Sequence, residues 1–421
     1  MVLAASLIHF WGAGTFFYSF TAFFNPIVDE FGWSYAATSF AASLRSIEGG
    51  IASPLVGIAA DRYGARRLLI AGSILTGAGF ILLSRIQTLW SYYAIFIVLS
   101  IASSMLFPVP GWTAAANWFR RHRGTALGIL SAAIGVSGVL IYLVNWLIGV
   151  YGWRTTLWII GIGMWVIGIP CSLVVRHRPE PYGLLPDGEK GAPQAAVGAG
   201  EKSGDAKSGP DEGYGLREAL RTWSFWRLAL IATLSSGAVH ALMVHVMPYL
   251  ISEHFSRNLA SIVATLLVFS STFGRLGMGW LTTRLNNRYL LALSLGMQAA
   301  GLVVAGSTRT LWQAILFVLL FGPGYGGVIT LRLTLQAEYF GRKAFGSIQG
   351  MMMAVAIAGT MSFPFLAGLY YDLFGNYRLT WLMMAGIILT VIPLALKTSP
   401  PGGKRHPSAN RPASRSPENS F

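Results

Sequence analysis

Gly57-Ile-Ala-Ala-Asp61-Arg62-Tyr-Gly64-Ala-Arg66-Arg67 is a short, glycine-punctuated basic stretch lying between two apolar runs. It returns at an offset of 222 residues as Gly279-Trp-Leu-Thr-Thr-Arg284-Leu-Asn-Asn-Arg288. Two further correspondences follow the first. Trp118-Phe119, Arg123-Gly124 and Gly128 reappear as Tyr339-Phe340, Gly346 and Gly350 with one residue inserted, and Tyr151-Gly152-Trp153-Arg154 reappears as Gly375-Asn376-Tyr377-Arg378. The chain is therefore an internal duplication with its halves in the same order. Around these loops the apolar stretches have helix-spanning length, at about 3–24, 36–60, 67–85, 91–118, 124–149, 155–175, 226–250, 258–283, 289–306, 311–337, 345–369 and 378–397. About twenty apolar residues cross the hydrocarbon core as a helix, which bonds every backbone polar group internally. A barrel would alternate in segments of about ten. The expectation is an all-α membrane protein of twelve transmembrane helices in two six-helix bundles, related by a pseudo-two-fold axis along the membrane normal, with a substrate site between them.

Composition agrees. Of 421 residues, 54% are hydrophobic and 11% charged, with a mean hydropathy of +0.56. Soluble domains carry roughly a quarter charged residues, so a water-soluble enzyme is disfavoured. The single cysteine, Cys171, permits neither an intramolecular disulfide nor a cysteine metal cluster. The net charge of +15 would suggest nucleic acid in a soluble protein, but here it follows the loops. With the N-terminus inside, twenty-two Lys and Arg fall on inner loops and tail, against Arg85, Arg154, Arg257, Arg309 and Arg378 outside. The positive-inside rule then places both termini in the cytoplasm and leaves nothing for nucleic acid to explain. The first basic residue is Arg45, so the opening run reads as a retained helix rather than a cleavable signal peptide. Residues 176–224 shift to Gly, Ala, Pro, Lys and Glu, and 399–421 to Pro, Ser, Asn and Arg. Both read as disordered cytoplasmic segments, dividing the chain into an N-terminal bundle (1–175), a linker, a C-terminal bundle (225–398) and a tail.

The segment Gly57–Arg67, with the twelve spans and the central linker, resembles the signature of the major facilitator superfamily between its second and third helices. The resemblance implies that Gly57, Asp61, Arg62, Gly64 and Arg66 gate the cytoplasmic side during alternating access. Thr283 replaces the aspartate in the second half, so the latch is expected to be asymmetric. Within the superfamily, Phe269-Ser-Ser-Thr-Phe-Gly274-Arg275-Leu-Gly277-Met-Gly279 is similar to helix 8 of monocarboxylate transporters and oxalate/formate antiporters, whose arginine binds the substrate carboxylate. The chain departs from both: helix 1 has no lysine, helix 8 no acidic residue, and helix 11 no lysine.

Charges inside the hydrocarbon region are costly and so are functional candidates. Arg275 has no acidic neighbour in its own helix, and its planar guanidinium suits a carboxylate. Arg45 and Glu48, at i and i+3, either neutralise one another or form a proton switch. Arg332 reads as a second anchor or as a structural cation reaching Glu338. His245 could donate to an anion or carry a proton, or merely pack between helices. Asn117 could donate to the carboxylate or bridge helices. Tyr325 follows Gly322-Pro323-Gly324, a break expected to bend its helix toward the cavity, and Tyr18 stands with Trp11, Phe16 and Phe17 on an apolar wall of helix 1.

These residues favour secondary transport of a small organic anion, foremost proton-coupled symport of a monocarboxylate such as L-lactate, pyruvate or formate. The alternatives are an anion exchanger of the oxalate/formate type and a drug or cation exporter of the same fold. The latter would want an acidic site and a proline-bearing glycine motif in helix 5, where Gly128–Gly138 has no proline. No nucleophile–base or metal-ligand grouping points to an enzyme, metal or cofactor. The expected partners are the anion, protons and the lipid bilayer, the expected location is the bacterial cytoplasmic (inner) membrane, and the expected functional unit is a monomer.

Overall fold

The computed structural model describes residues 1–33, 35–188 and 213–401. The expected disorder of the linker and tail therefore falls largely outside the described residues, as do the side chains of Arg45 and Glu48. Fifteen α-helices account for most of what is described. In the first half they are α1 (Val2–Gly12), α2 (Phe20–Phe31), α3 (Tyr35–Tyr63), α4 (Ala65–Leu83), α5 (Leu89–Leu106), α6 (Val109–Trp118), α7 (Arg123–Val136) and α8 (Leu140–Val174). A short α9 (Leu216–Leu220) precedes α10 (Trp223–Ser252), α11 (Arg257–Leu281), α12 (Asn287–Ala305), α13 (Leu311–Phe340), α14 (Phe345–Phe374) and α15 (Arg378–Lys397).

Nine helices among the described residues are long and apolar enough to cross a membrane, and a tenth arises if the bent pair Val2–Tyr18 and Ala22–Phe31 is one span. One of the nine, Arg123–Val174, is 52 residues long. At 1.5 Å per residue that is roughly 78 Å, more than twice a hydrocarbon core of about 30 Å. It is two spans, folded at Gly152, whose φ of +77° suits a residue without a Cβ. The 29-residue α3 completes twelve. Arg154, just past that fold, donates to the Glu30 carboxylate at 2.7 Å and to the Ser84 carbonyl, tying the helix end to two neighbours.

Two expectations are corrected. The first helix is bent and reaches Phe31 rather than ending near residue 24, with a π-helical turn over Ala13–Tyr18. Gly322-Pro323-Gly324 does not break its helix: α13 runs continuously from Leu311 to Phe340 with Pro323 inside. Those glycines serve packing instead, since a Cβ at Gly322 would meet Ser270 Oγ at 1.8 Å and one at Gly324 the Gln298 backbone nitrogen at 2.7 Å. Neighbouring helices pack against the segment on both sides.

Buried apolar residues form one core among helices of the second half and two among those of the first. One first-half core also takes in Leu333, Ala337 and Phe345, so the two halves meet through it. The loops around Asp61, Asn117, His177, Thr282 and Gly346 contact one another at a single end of the molecule, here termed the basic end.

Candidate functional site

At the centre, α11 carries Arg275 into the contact with α7 and α13. The side chain is 3% exposed. Its Nη1 donates to the Ser131 carbonyl on α7, and its Nη2 donates to the Tyr325 hydroxyl on α13 at 3.2 Å. The guanidinium carbon stands 5.4 Å from the centre of the Tyr325 ring. Nε, Ser131 Oγ and Thr272 Oγ1 are buried without a hydrogen-bond partner among the described residues. Gly135 opens this space, for a Cβ there would lie 2.9 Å from Nη1 and 3.0 Å from Thr272 Oγ1. Tyr18 lies close enough to interact electrostatically with both Arg275 and Tyr325. A buried cation is thus held by neutral acceptors, with donor capacity remaining. In a low-dielectric interior such a group attracts an anion, and the fork of the guanidinium fits a carboxylate.

At the basic end the halves close on each other through backbone. A Cβ at Gly57 would sit 2.1 Å from the Gly346 carbonyl oxygen, and one at Gly350 would sit 2.2 Å from that of Ser53. Across the molecule, a Cβ at Gly124 of α7 would meet the Thr282 side chain just past α11, and one at Gly128 would sit 2.6 Å from the Arg275 carbonyl oxygen. Asp61 bridges the first of these seams. Its carboxylate accepts from the Gly346 and Ser347 backbone N–H at 2.9 and 2.7 Å and from Ser347 Oγ at 2.6 Å. These are free donors of the first turn of α14, where the helix dipole also favours a negative charge.

The segment after α8 lies over this closure. Arg342 donates to Glu180 at 3.0 Å and to the Asn117 carbonyl at 2.9 Å. Asp187 accepts from the Arg120 and Arg121 backbone N–H at 3.0 and 2.7 Å. His177 Nδ1 accepts from the Ala65 N–H at 3.3 Å, while its carbonyl accepts from Asn117 Nδ2 at 3.2 Å. Burial, aided by neighbouring Arg178, holds the His177 imidazole neutral, with a pKa lowered to about 4.

The structure thus brings Arg275, Tyr325 and Tyr18 together and leaves other candidates elsewhere. Asn117 is at the basic end, with its amide nitrogen on His177. His245, toward the opposite end, has Nδ1 3.1 Å from the Tyr377 hydroxyl and Nε2 3.0 Å from the Pro364 carbonyl. Arg332 is 8% exposed and does not reach Glu338, whose carboxylate instead accepts from Asn287 at 2.9 Å. Gly57 and Gly64 hold a seam and a turn, the latter at φ +89°. Asp61 bonds none of the arginines around it, and Arg62 lies over the Tyr63 ring at 5.5 Å. Arg66 follows Ala65 at the start of α4.

Sequence reasoning missed Ser131, Thr272, Ser347, Glu180 and Arg342. For Ser347 a signal existed, because the repeat that pairs Gly124 with Gly346 also pairs Thr125 with Ser347.

The chain as a whole finds its match in known proteins. The family model described as Major Facilitator Superfamily matches residues 5–256 and 229–419. The chain belongs to that superfamily. It is accordingly a membrane transporter of small solutes and not an enzyme. This facilitator is 27% identical over 390 residues to an uncharacterized MFS-type transporter, YcxA of Bacillus subtilis, with 90% of each chain covered. It is 24% identical over 407 residues to monocarboxylate transporter 1 of Bos taurus, covering 90% of this chain and 80% of the relative. Its fold resembles that of the E. coli fucose:proton symporter FucP, with a TM-score of 0.70 at 13% identity over 94% of this chain and 98% of the other.

Proposed function

We propose that this transporter carries a small organic anion, foremost a monocarboxylate such as L-lactate, pyruvate or formate, by proton-coupled symport. The observation that carries the reading is the state of Arg275: a buried guanidinium on a carbonyl and a phenol, with Nε unpartnered. A carboxylate entering between α7, α11 and α13 would take these donors, with Tyr325 and Tyr18 beside it. The monocarboxylate transporters among the relatives support the substrate class. Glu48 remains the proposed coupling acid, with Arg45 its partner, while His245 serves as the second candidate. The basic end faces the cytoplasm of a bacterial cell in this reading, and Asp61, Gly57, Gly64, Arg62 and Arg66 serve its gate. The bundles rock about the Arg275 level, exposing it to each side in turn, and one chain suffices.

The test is uptake of labelled L-lactate into proteoliposomes under an inward proton gradient, after subtraction of the rate in protein-free liposomes. Wild-type protein accumulates lactate, and Arg275→Ala reduces accumulation to background. Wild-type uptake by Arg275→Ala would overturn the assignment. Exchange is the second reading, favoured by Arg332, a further buried cation with no carboxylate paired to it among the described residues. Lactate uptake that appears only in liposomes preloaded with formate or oxalate would decide for it.

A further inference from the structure

Gln336 Nε2 on α13 donates to the Phe345 carbonyl at the start of α14 at 2.9 Å. This bond aligns two antiparallel neighbours. Four residues farther from the basic end on each, one helical turn, stand Arg332 and Gln349. Both are buried, at 8% and 0% exposure. Among the described residues Arg332 makes no hydrogen bond or ion pair, and neither Gln349 Oε1 nor Nε2 has a partner. Trp112 on α6 belongs to the same buried cluster as their neighbours Leu333 and Phe345, is 5% exposed, and has an unpartnered Nε1. Arg332 and Gln349 thus stand one helical turn beyond the bond that aligns their helices, and with Trp112 of the other half they are buried polar side chains without a partner among the described residues. Their unmet capacity is mainly for donation: a guanidinium, an indole N–H and an amide. Buried groups of this kind persist where a partner is supplied.

We infer that Arg332, Gln349 and Trp112 form a second carboxylate site. It lies seven residues, about 10 Å of helical rise, beyond Tyr325 toward the basic end. The inference rests on the proposed anion path through Arg275, because the second site is a station on that path. Two sources supply the same chemistry: the far end of a dicarboxylate held at Arg275, or a second monocarboxylate moving toward release. Arg154 and Arg342 each hold both a carboxylate and a carbonyl, whereas Arg332 has neither among the described residues.

Equilibrium binding of radiolabelled L-lactate and succinate to the full-length protein in lipid nanodiscs tests this. Wild type is expected to bind two lactates per chain, and Arg275→Ala and Arg332→Gln one each. Arg332→Lys, which keeps the charge, is expected to restore the second and thereby separates loss of a ligand from loss of fold. Succinate is expected to lose at least about tenfold in affinity in Arg332→Gln. One succinate displacing both lactates identifies a spanning dicarboxylate, whereas one succinate displacing a single lactate identifies two independent acids. Unchanged stoichiometry and succinate affinity in Arg332→Gln would overturn the second site while leaving Arg275 intact. Binding lost in Arg332→Gln but unchanged in Arg275→Ala would instead overturn the Arg275 reading and retain this site.

Discussion

His177 shows how one neutral ring can make a seam sensitive to pH. Its Nδ1 must lack a proton to accept from Ala65, and its carbonyl holds Asn117, whose own carbonyl receives Arg342. An unfolded histidine takes up its proton near 6.5, whereas this one does so near 4. Above 6.5 both states are neutral, and the residue adds no pH dependence. As pH falls from 6.5 toward 4 the unfolded chain binds a proton that the folded chain refuses, so stability declines across that window and levels off below it. The melting temperature of purified protein should therefore fall on acidification through this range. His177→Gln, which keeps a side-chain acceptor without titrating, should flatten that part of the curve. An equally steep decline in the variant would assign the effect to other groups.

At the scale of elements, backbone geometry and close packing do more than propensity. Gly152 turns α8 back at φ +77°, and a Cβ there would meet nothing within 4 Å. Gly152→Ala therefore isolates conformational strain from crowding. It should cost about 1–3 kcal/mol, visible as a lowered melting temperature with the fold retained; an unchanged melting temperature would mean that the turn relaxes. The twelve spans were legible because length and apolarity are summed over some twenty residues, and the duplication located the loops between them. Arg275 was legible too, as a charge where charges are costly. Of its surroundings, Tyr325 and Tyr18 were named from the sequence, but the rest was not. Ser131 contributes a carbonyl, which every residue has, and Thr272 reads as ordinary helix texture until α7 is placed beside it. Gly322-Pro323-Gly324 carries the local signature of a helix break, yet α13 continues through it, and only the neighbours at Ser270 and Gln298 reveal glycines kept for contact.

Over the whole molecule the repeat accounts for the closure. The offset of 222 maps Gly57 onto Gly279, Gly124 onto Gly346, Gly128 onto Gly350 and Ser53 onto Arg275. The Gly57–Gly346 and Ser53–Gly350 contacts on one side become Gly279–Gly124 and Arg275–Gly128 on the other, and all four approaches are present. Duplication supplied two equivalent seams, and the halves then diverged in charge. One carries the cation at Arg275, where its counterpart is Ser53; the other carries the carboxylate at Asp61, where its counterpart is Thr283. Thr283→Asp would restore the missing carboxylate opposite the start of α7. By analogy with helix capping it should stabilise the closed basic end by about 0.5–2 kcal/mol. Spin labels at Arg67→Cys and Lys343→Cys in a Cys171→Ser background would read this as a larger fraction of short distances, with slower turnover. An unchanged distribution would show that Asp61 owes its role to α14 alone.

The seams have one more consequence, which lies in what they lack. Gly57, Gly346, Gly350, Gly124 and Gly128 bring no side chain of their own to the contact, so closing these seams freezes few rotamers beyond those of Asp61, Ser347, Thr282 and Arg342, where a typical long side chain would lose up to about 2 kcal/mol each time. The two arrangements can then lie close in free energy, with the difference resting on a few bonds at Asp61 and Arg342. Under those terms a shift of about 1.4 kcal/mol changes the ratio of populations tenfold, within the reach of one small ligand gripped better in one arrangement than in the other.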